Sequence, residues 1–161
     1  MNPGVRRLRP DPAVACGPSP FMEETSAMCP SAPAEAGALL LGRFVPAGNL
    51  VFAAQPLPVT VEFIEAASEG GDLGKRFRFT SPCLKHGCSR WQNGACIVGV
   101  AAARAAGQFP ESAELPACVI RASCRWFEQQ GALACRACPH VIYDMREAEV
   151  GVTEPAPAPY A

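Results

Sequence analysis

Apolar residues along this chain gather in short runs separated by Pro and Gly, and the period of the runs changes along the chain. Ala38-Leu39-Leu40-Leu41 leads through Gly42-Arg43-Phe44-Val45 to Pro46-Ala47-Gly48-Asn49, and Leu50-Val51-Phe52-Ala53 then returns. Two β-prone runs around such a turn predict a hairpin over 38–55, ended by Pro56 and Pro58. Thr60 can cap a short helix with Phe63, Ile64 and Ala67 on one face, and Gly70-Gly71 stops it. Lys75-Arg76-Phe77-Arg78-Phe79-Thr80 alternates with period two. That pattern predicts a strand with Phe77 and Phe79 inward and Arg76 and Arg78 in water. Residues 97–106 are Ala-rich and helix-prone, with Gly107 as the stop. A loop is expected over 109–116. Pro139 bars a helix from running on, and 140–150 is expected to form a short final helix or strand.

The ends differ from this middle. Residues 1–36 hold seven of the seventeen prolines. Their composition cannot bury enough apolar area to offset ordering entropy, so a mostly disordered head is expected. Residues 151–161 read as an extended Pro-rich tail. Met22 and Met28 are alternative starts, and translation from either would leave out Cys16. The expected organisation is one domain over 37–150, with a hairpin, helix and strand part (37–82) and a cysteine-rich part (83–140). The expected fold class is a small α+β, cysteine-rich, metal-stapled domain.

Composition narrows the function classes. The 14 basic and 15 acidic residues nearly cancel, so no global field draws nucleic acid or an anionic membrane. A local nucleic-acid platform through Arg76, Arg78 and the interleaved Phe residues stays open as a secondary reading. Aromatics are only 7%, so large core formers are thin and metal or covalent staples are expected to help. Arg6, Arg7 and Arg9 are followed by no apolar h-region, and Ala13-Val14-Ala15-Cys16 only faintly resembles a lipoprotein cleavage site. No stretch spans a bilayer. A cytoplasmic location follows as the expectation, where clustered cysteines bind metal or catalyse more often than they form disulfides.

The chemistry lies in the cysteines. Seven of nine fall between Cys83 and Cys138, as Cys83-x4-Cys88-x7-Cys96 and Cys118-x5-Cys124-x10-Cys135-x2-Cys138. Both halves carry an Arg-Trp pair after their second cysteine, Arg90-Trp91 and Arg125-Trp126, which suggests a duplicated unit. Thiolates in fours select zinc or iron–sulfur clusters. Structural zinc favours close ligand pairs. The irregular intervals here suit a larger iron–sulfur cluster better, such as 4Fe–4S, with zinc as the alternative. Cys138-Pro139 resembles the last cysteine of ferredoxin-type motifs, over four residues only.

The second half supplies four ligands, Cys118, Cys124, Cys135 and Cys138. The first supplies Cys83, Cys88 and Cys96, and its fourth position has three candidate solutions: Cys29, His86, or an open coordination site of the catalytic kind. Arg90, Trp91, Arg125 and Trp126 are expected to cover the sites, the arginines offsetting thiolate charge or donating hydrogen bonds to sulfur. His140 reads as a surface or packing residue. No phosphate-cradling loop or hydrolase elbow occurs. Cys135-x2-Cys138 as a dithiol pair lacks a thioredoxin-like context.

The leading expectation is an iron–sulfur protein with one or two clusters, in electron transfer or redox sensing, with a redox protein as partner. The alternatives are a zinc-stabilised interaction module and a metalloenzyme with an open site. A disulfide framework and plain buried cysteines are the bland readings.

Overall fold

The expected hairpin forms as β2 (Leu39–Phe44) and β3 (Leu50–Pro58). Its turn is closed by Val45 N–H to the Asn49 carbonyl at 2.9 Å, with Gly48 at φ 83°. The computed structural model describes residues 26–111, 114–143 and 150–152, so Cys16 and residues 153–161 of the expected Pro-rich tail lie outside the described residues, while its first two residues belong to a strand. β3 runs on through Pro56 to Pro58 instead of stopping before them. It is an edge strand, where a residue without an N–H leaves no ladder bond unmade. Thr60 caps α1 (Val61–Ser68) as expected, its hydroxyl accepting from Phe63 N–H at 3.2 Å. Asp72 caps a further turn, α2 (Leu73–Arg76), which leads into β4 (Phe77–Pro82).

Residues 28–32 correct the expectation of a disordered head through 36. Met28–Ala32 forms β1, antiparallel to β4, completing a four-stranded sheet in the order β1-β4-β2-β3. The segment has no alternating pattern of its own to announce it. Its backbone is held by the central strand β4, and its position at the sheet edge tolerates Pro30.

The period-two pattern in β4 is correct, but the face opposite the phenylalanines is buried, not wet. Phe77 and Phe79 join Phe63 in an aromatic cluster, with ring centroids 5.6 to 6.4 Å apart, under α1 and α2. Arg78, pointing the other way, is only 3% exposed. Arg76 sits at the end of α2, bonding the Ala67 carbonyl at 2.5 Å and lying over the Phe77 ring. Arg78 is therefore withdrawn from any surface on which it could meet a phosphate.

The second face of the sheet is covered by the cysteine-rich half. Trp91–Gln92 (β5) and Ala95–Cys96 (β6) form a small hairpin around Asn93 and Gly94, at φ 51° and 78°. Asn-Gly with both residues left-handed is the preferred two-residue turn. The helix expected over 97–106 is α3 (Ile97–Ala105), extended by one 3₁₀ turn. Arg125–Gln130 (α4) and Ala132–Ala137 (α5) follow, and Pro139 falls in a 3₁₀ turn, where its missing N–H is harmless. Val141–Tyr143 (β7) pairs with Val150–Val152 (β8) as the final element.

Small side chains let these helices approach closely. Ala102 and Ala105 of α3 and Ala134 and Ala137 of α5 are buried in one cluster with Leu41, Trp126 and Val141. The result is a small mixed α+β fold with a four-stranded antiparallel sheet and short helices. Among the described residues, no helix is long and apolar enough to cross a membrane.

Candidate metal centre

Both halves of the cysteine stretch begin with the same local device. A 3₁₀ turn, Lys85–Gly87 in one and Arg121–Ser123 in the other, lies between the first and second cysteines. The second cysteine closes it, Cys88 N–H bonding the Lys85 carbonyl at 2.9 Å and Cys124 N–H the Arg121 carbonyl at 3.2 Å. The halves then diverge. Trp91 enters the small hairpin, whereas Arg125 and Trp126 open α4 directly.

Tertiary folding brings Cys29 to the first half. One cavity of about 430 Å³ is lined by Cys29, Cys83, Cys88 and Cys96, with Arg90, Trp91, Arg125 and Trp126 also on its wall. β1 carries Cys29 there through its pairing with β4, where Cys29 faces Ser81 in register. Cys83 N–H bonds the Ala27 carbonyl at 2.7 Å, tying the two segments together. His86 is exposed, its ring edge-on to Trp91 with centroids 6.0 Å apart, and does not line this cavity. Burial pushes the Cys29 thiol up to about 12, and proximity to Cys96, Cys83 and Cys88 adds to the shift.

The second cavity is much tighter, about 20 Å³, and is lined by Cys118, Cys124, Cys135 and Cys138 together with Arg121 and Trp126. Burial pushes Cys124 up to about 12, with Cys138 and Cys118 adding to the shift. Cys118 and Cys135 are also raised, mainly by burial. The eight described cysteines are unbridged. Among the described residues, no three His, Cys, Asp or Glu side chains are arranged to hold a single metal ion.

All four expected covering residues line the first cavity, and the buried Trp126 lines both. Arg125 lies over the Trp91 ring at 5.4 Å and bonds Glu128 at 2.5 Å. Arg90 contributes its backbone N–H to Cys88 Sγ at 3.4 Å. The indole N–H groups of Trp91 and Trp126 are buried without an acceptor among the described residues.

The second quartet is served by two arginines outside the Arg-Trp pairs. Arg78 Nη1 donates to Cys138 Sγ at 3.4 Å and to the Pro30 carbonyl at 3.3 Å, and Nη2 donates to the Cys138 carbonyl at 3.2 Å and to the Val141 carbonyl. Arg121 donates to the Pro116 carbonyl, and its bond to the Cys135 thiol offsets part of that thiol's rise. Arg78 carries no sequence signal toward cysteine, since 60 residues separate it from Cys138. Arg121 does, lying inside the Cys118-x5-Cys124 interval. His140 stacks on Phe109 at 4.1 Å, and burial lowers its pKa.

No protein-family model, curated protein or solved structure matches the chain.

Proposed function

We propose that the chain is an iron–sulfur protein with one centre at each cysteine quartet, serving electron transfer or redox sensing in a reducing compartment with a redox protein as partner. The observation that carries this reading is the sorting of eight cysteines, four and four, around two cavities that share the Trp126 wall. Four thiols with arginine and backbone donors to sulfur match the ligand chemistry of iron–sulfur centres. Two buried indole N–H groups without acceptors add to this, because each orphaned donor costs about 1–3 kcal/mol unless something accepts from it. Thiolate or sulfide would serve as that acceptor.

The choice of cluster over zinc rests on space. The first quartet rings a cavity of about 430 Å³ instead of converging on a point, and a cluster is larger than one ion. The second cavity, about 20 Å³, must widen to seat a cluster, so the spatial argument is carried by the first quartet. Either centre would take its cysteines as thiolates, and burial raises the pKa of Cys29 in the first quartet and of Cys118, Cys124 and Cys135 in the second, so binding would be coupled to proton release and to folding. Anaerobic purification with iron, sulfide and zinc analysis tests the reading. The expected product is brown, with iron and acid-labile sulfide in equal amounts. Colourless protein with stoichiometric zinc and no sulfide would refute it.

A further inference from the structure

We infer that Arg78 is the countercharge of the second centre, so that the four cysteines Cys118, Cys124, Cys135 and Cys138 hold a group of net negative charge. This deepens the proposed function and rests on it. Arg78 is a permanent cation, 3% exposed, between the sheet and the cysteine-rich half. A buried charge left unpaired is strongly unfavourable. Yet the two ion pairs found among the described residues are Arg125 with Glu128 and Arg136 with Glu111, and neither involves Arg78. Its partners are three carbonyls, one cysteine sulfur, and the faces of Phe44 at 5.4 Å and Trp126 at 5.9 Å. Carbonyls and aromatic faces solvate a guanidinium without neutralising it. Among the described residues, the one partner able to carry compensating charge is Cys138 Sγ, a member of the quartet.

Four thiolates around a divalent ion or a doubly charged iron–sulfide core leave a net negative group in each case, so the argument is independent of which metal is bound. For a redox centre, a fixed buried cation favours the reduced form, which carries one more negative charge. Arg78 is thus a positioning and charge-setting residue. It bonds Cys138 of the second quartet, and none of its hydrogen bonds among the described residues goes to a cysteine of the first.

The test uses the full chain, purified anaerobically, and compares Arg78→Met, Arg78→Lys and the parent. Iron release into a ferrous chelator is followed with time, and midpoint potentials are taken by optical titration. In Arg78→Met, iron release from one of two centres is expected to speed up by about 10–100-fold, the usual effect of losing a residue that supports a metal ligand. The midpoint of that centre is expected to fall, the other centre is unchanged, and Arg78→Lys lies between. Since Arg78→Met could weaken folding alone, it is also made in the Cys118→Ser, Cys124→Ser, Cys135→Ser, Cys138→Ser background. There the uncompensated cation is a liability, so Arg78→Met is expected to raise the melting temperature.

Of the carboxylates outside the described residues, Asp144, Glu147 and Glu149 follow most closely on Val141, whose carbonyl Arg78 bonds, and their triple amide variant is the control for a carboxylate countercharge. Metal loss and midpoints indifferent to Arg78, the same melting penalty in both backgrounds, or sensitivity to the triple amide variant instead overturn the inference while leaving two centres in place. A parent chain without metal overturns both this inference and the proposed function.

Discussion

Gly99→Ala sets two effects of known size against each other. Gly99 lies in α3, and a Cβ there would stand 2.9 Å from Trp126 Cδ1 and 3.1 Å from Cγ. Taken as a helix position alone, the change stabilises by about 1 kcal/mol, because Ala loses less backbone entropy than Gly. The clash opposes this. Trp126 is 1% exposed, lines both cysteine cavities and cannot swing into solvent, so the neighbour that must yield is rigid. Overpacking a filled core costs about 1–3 kcal/mol.

The clash is expected to win by up to about 2 kcal/mol after the propensity gain is subtracted. Urea unfolding of the anaerobically purified chain measures it as a lower midpoint at unchanged slope. A double-mutant cycle with Trp126→Leu isolates the contact: the penalty of Gly99→Ala is expected to shrink by about 0.5–3 kcal/mol once the indole is gone. If Gly99→Ala instead raises the midpoint, propensity has won and the close packing of α3 on Trp126 is refuted.

Four further outcomes are expected. Cys29→Ser lowers bound iron as far as Cys83→Ser does while His86→Ala leaves it unchanged, measured by metal analysis; the reverse pattern would return the fourth position to His86. Cys138→Ser loses metal and lowers the urea midpoint while the chain still folds, whereas Cys16→Ser changes neither, followed by iron content and urea unfolding; full metal retention in Cys138→Ser would remove it from the ligand set. In the metal-free chain, Cys29 and Cys124 ionise only near about 12 in the folded state against 9.0 when unperturbed. Their raised values stabilise the fold fully below 9.0, and that contribution fades as pH climbs toward 12, so the urea midpoint is expected to drop above pH 9; a flat profile there contradicts their burial. Gly42→Ala disrupts the hairpin, since its Cβ would fall 2.4 Å from the Val51 carbonyl oxygen, and a parent-like urea midpoint would count against this close strand approach.

Local features were legible where one segment decides its own structure. The β2–β3 turn, the Thr60 cap and the extent of α3 all lie within a few residues of the signals that encode them. Asn93-Gly94 is a hairpin signal of equal strength, and it forms the β5–β6 turn inside the Cys88–Cys96 interval. The second quartet, all within 21 residues, was visible as a set. The arithmetic of nine cysteines also singled out Cys29 as a candidate for the first.

Composition and period fixed less than they seemed to. Pro30 and its neighbours carry no strand pattern, yet β4 offers them an open ladder, so an expected loose segment becomes the edge strand that delivers Cys29. Alternation along β4 correctly sorted Phe77 and Phe79 from Arg78, but a period of two says only that the faces differ. Whether the second face meets water or protein depends on where the last third of the chain folds. It folds onto that face, burying Arg78 against Cys138. Sequence alone determined the thiol-rich make-up of the two quartets, the Arg-Trp pair repeated in each half, and the local turns and caps of the sheet. The tertiary structure alone decided which cysteines share a cavity, that one tryptophan lines both, and that a distant arginine reaches the second, because those contacts join segments whose order along the chain carries no trace of their distance in space.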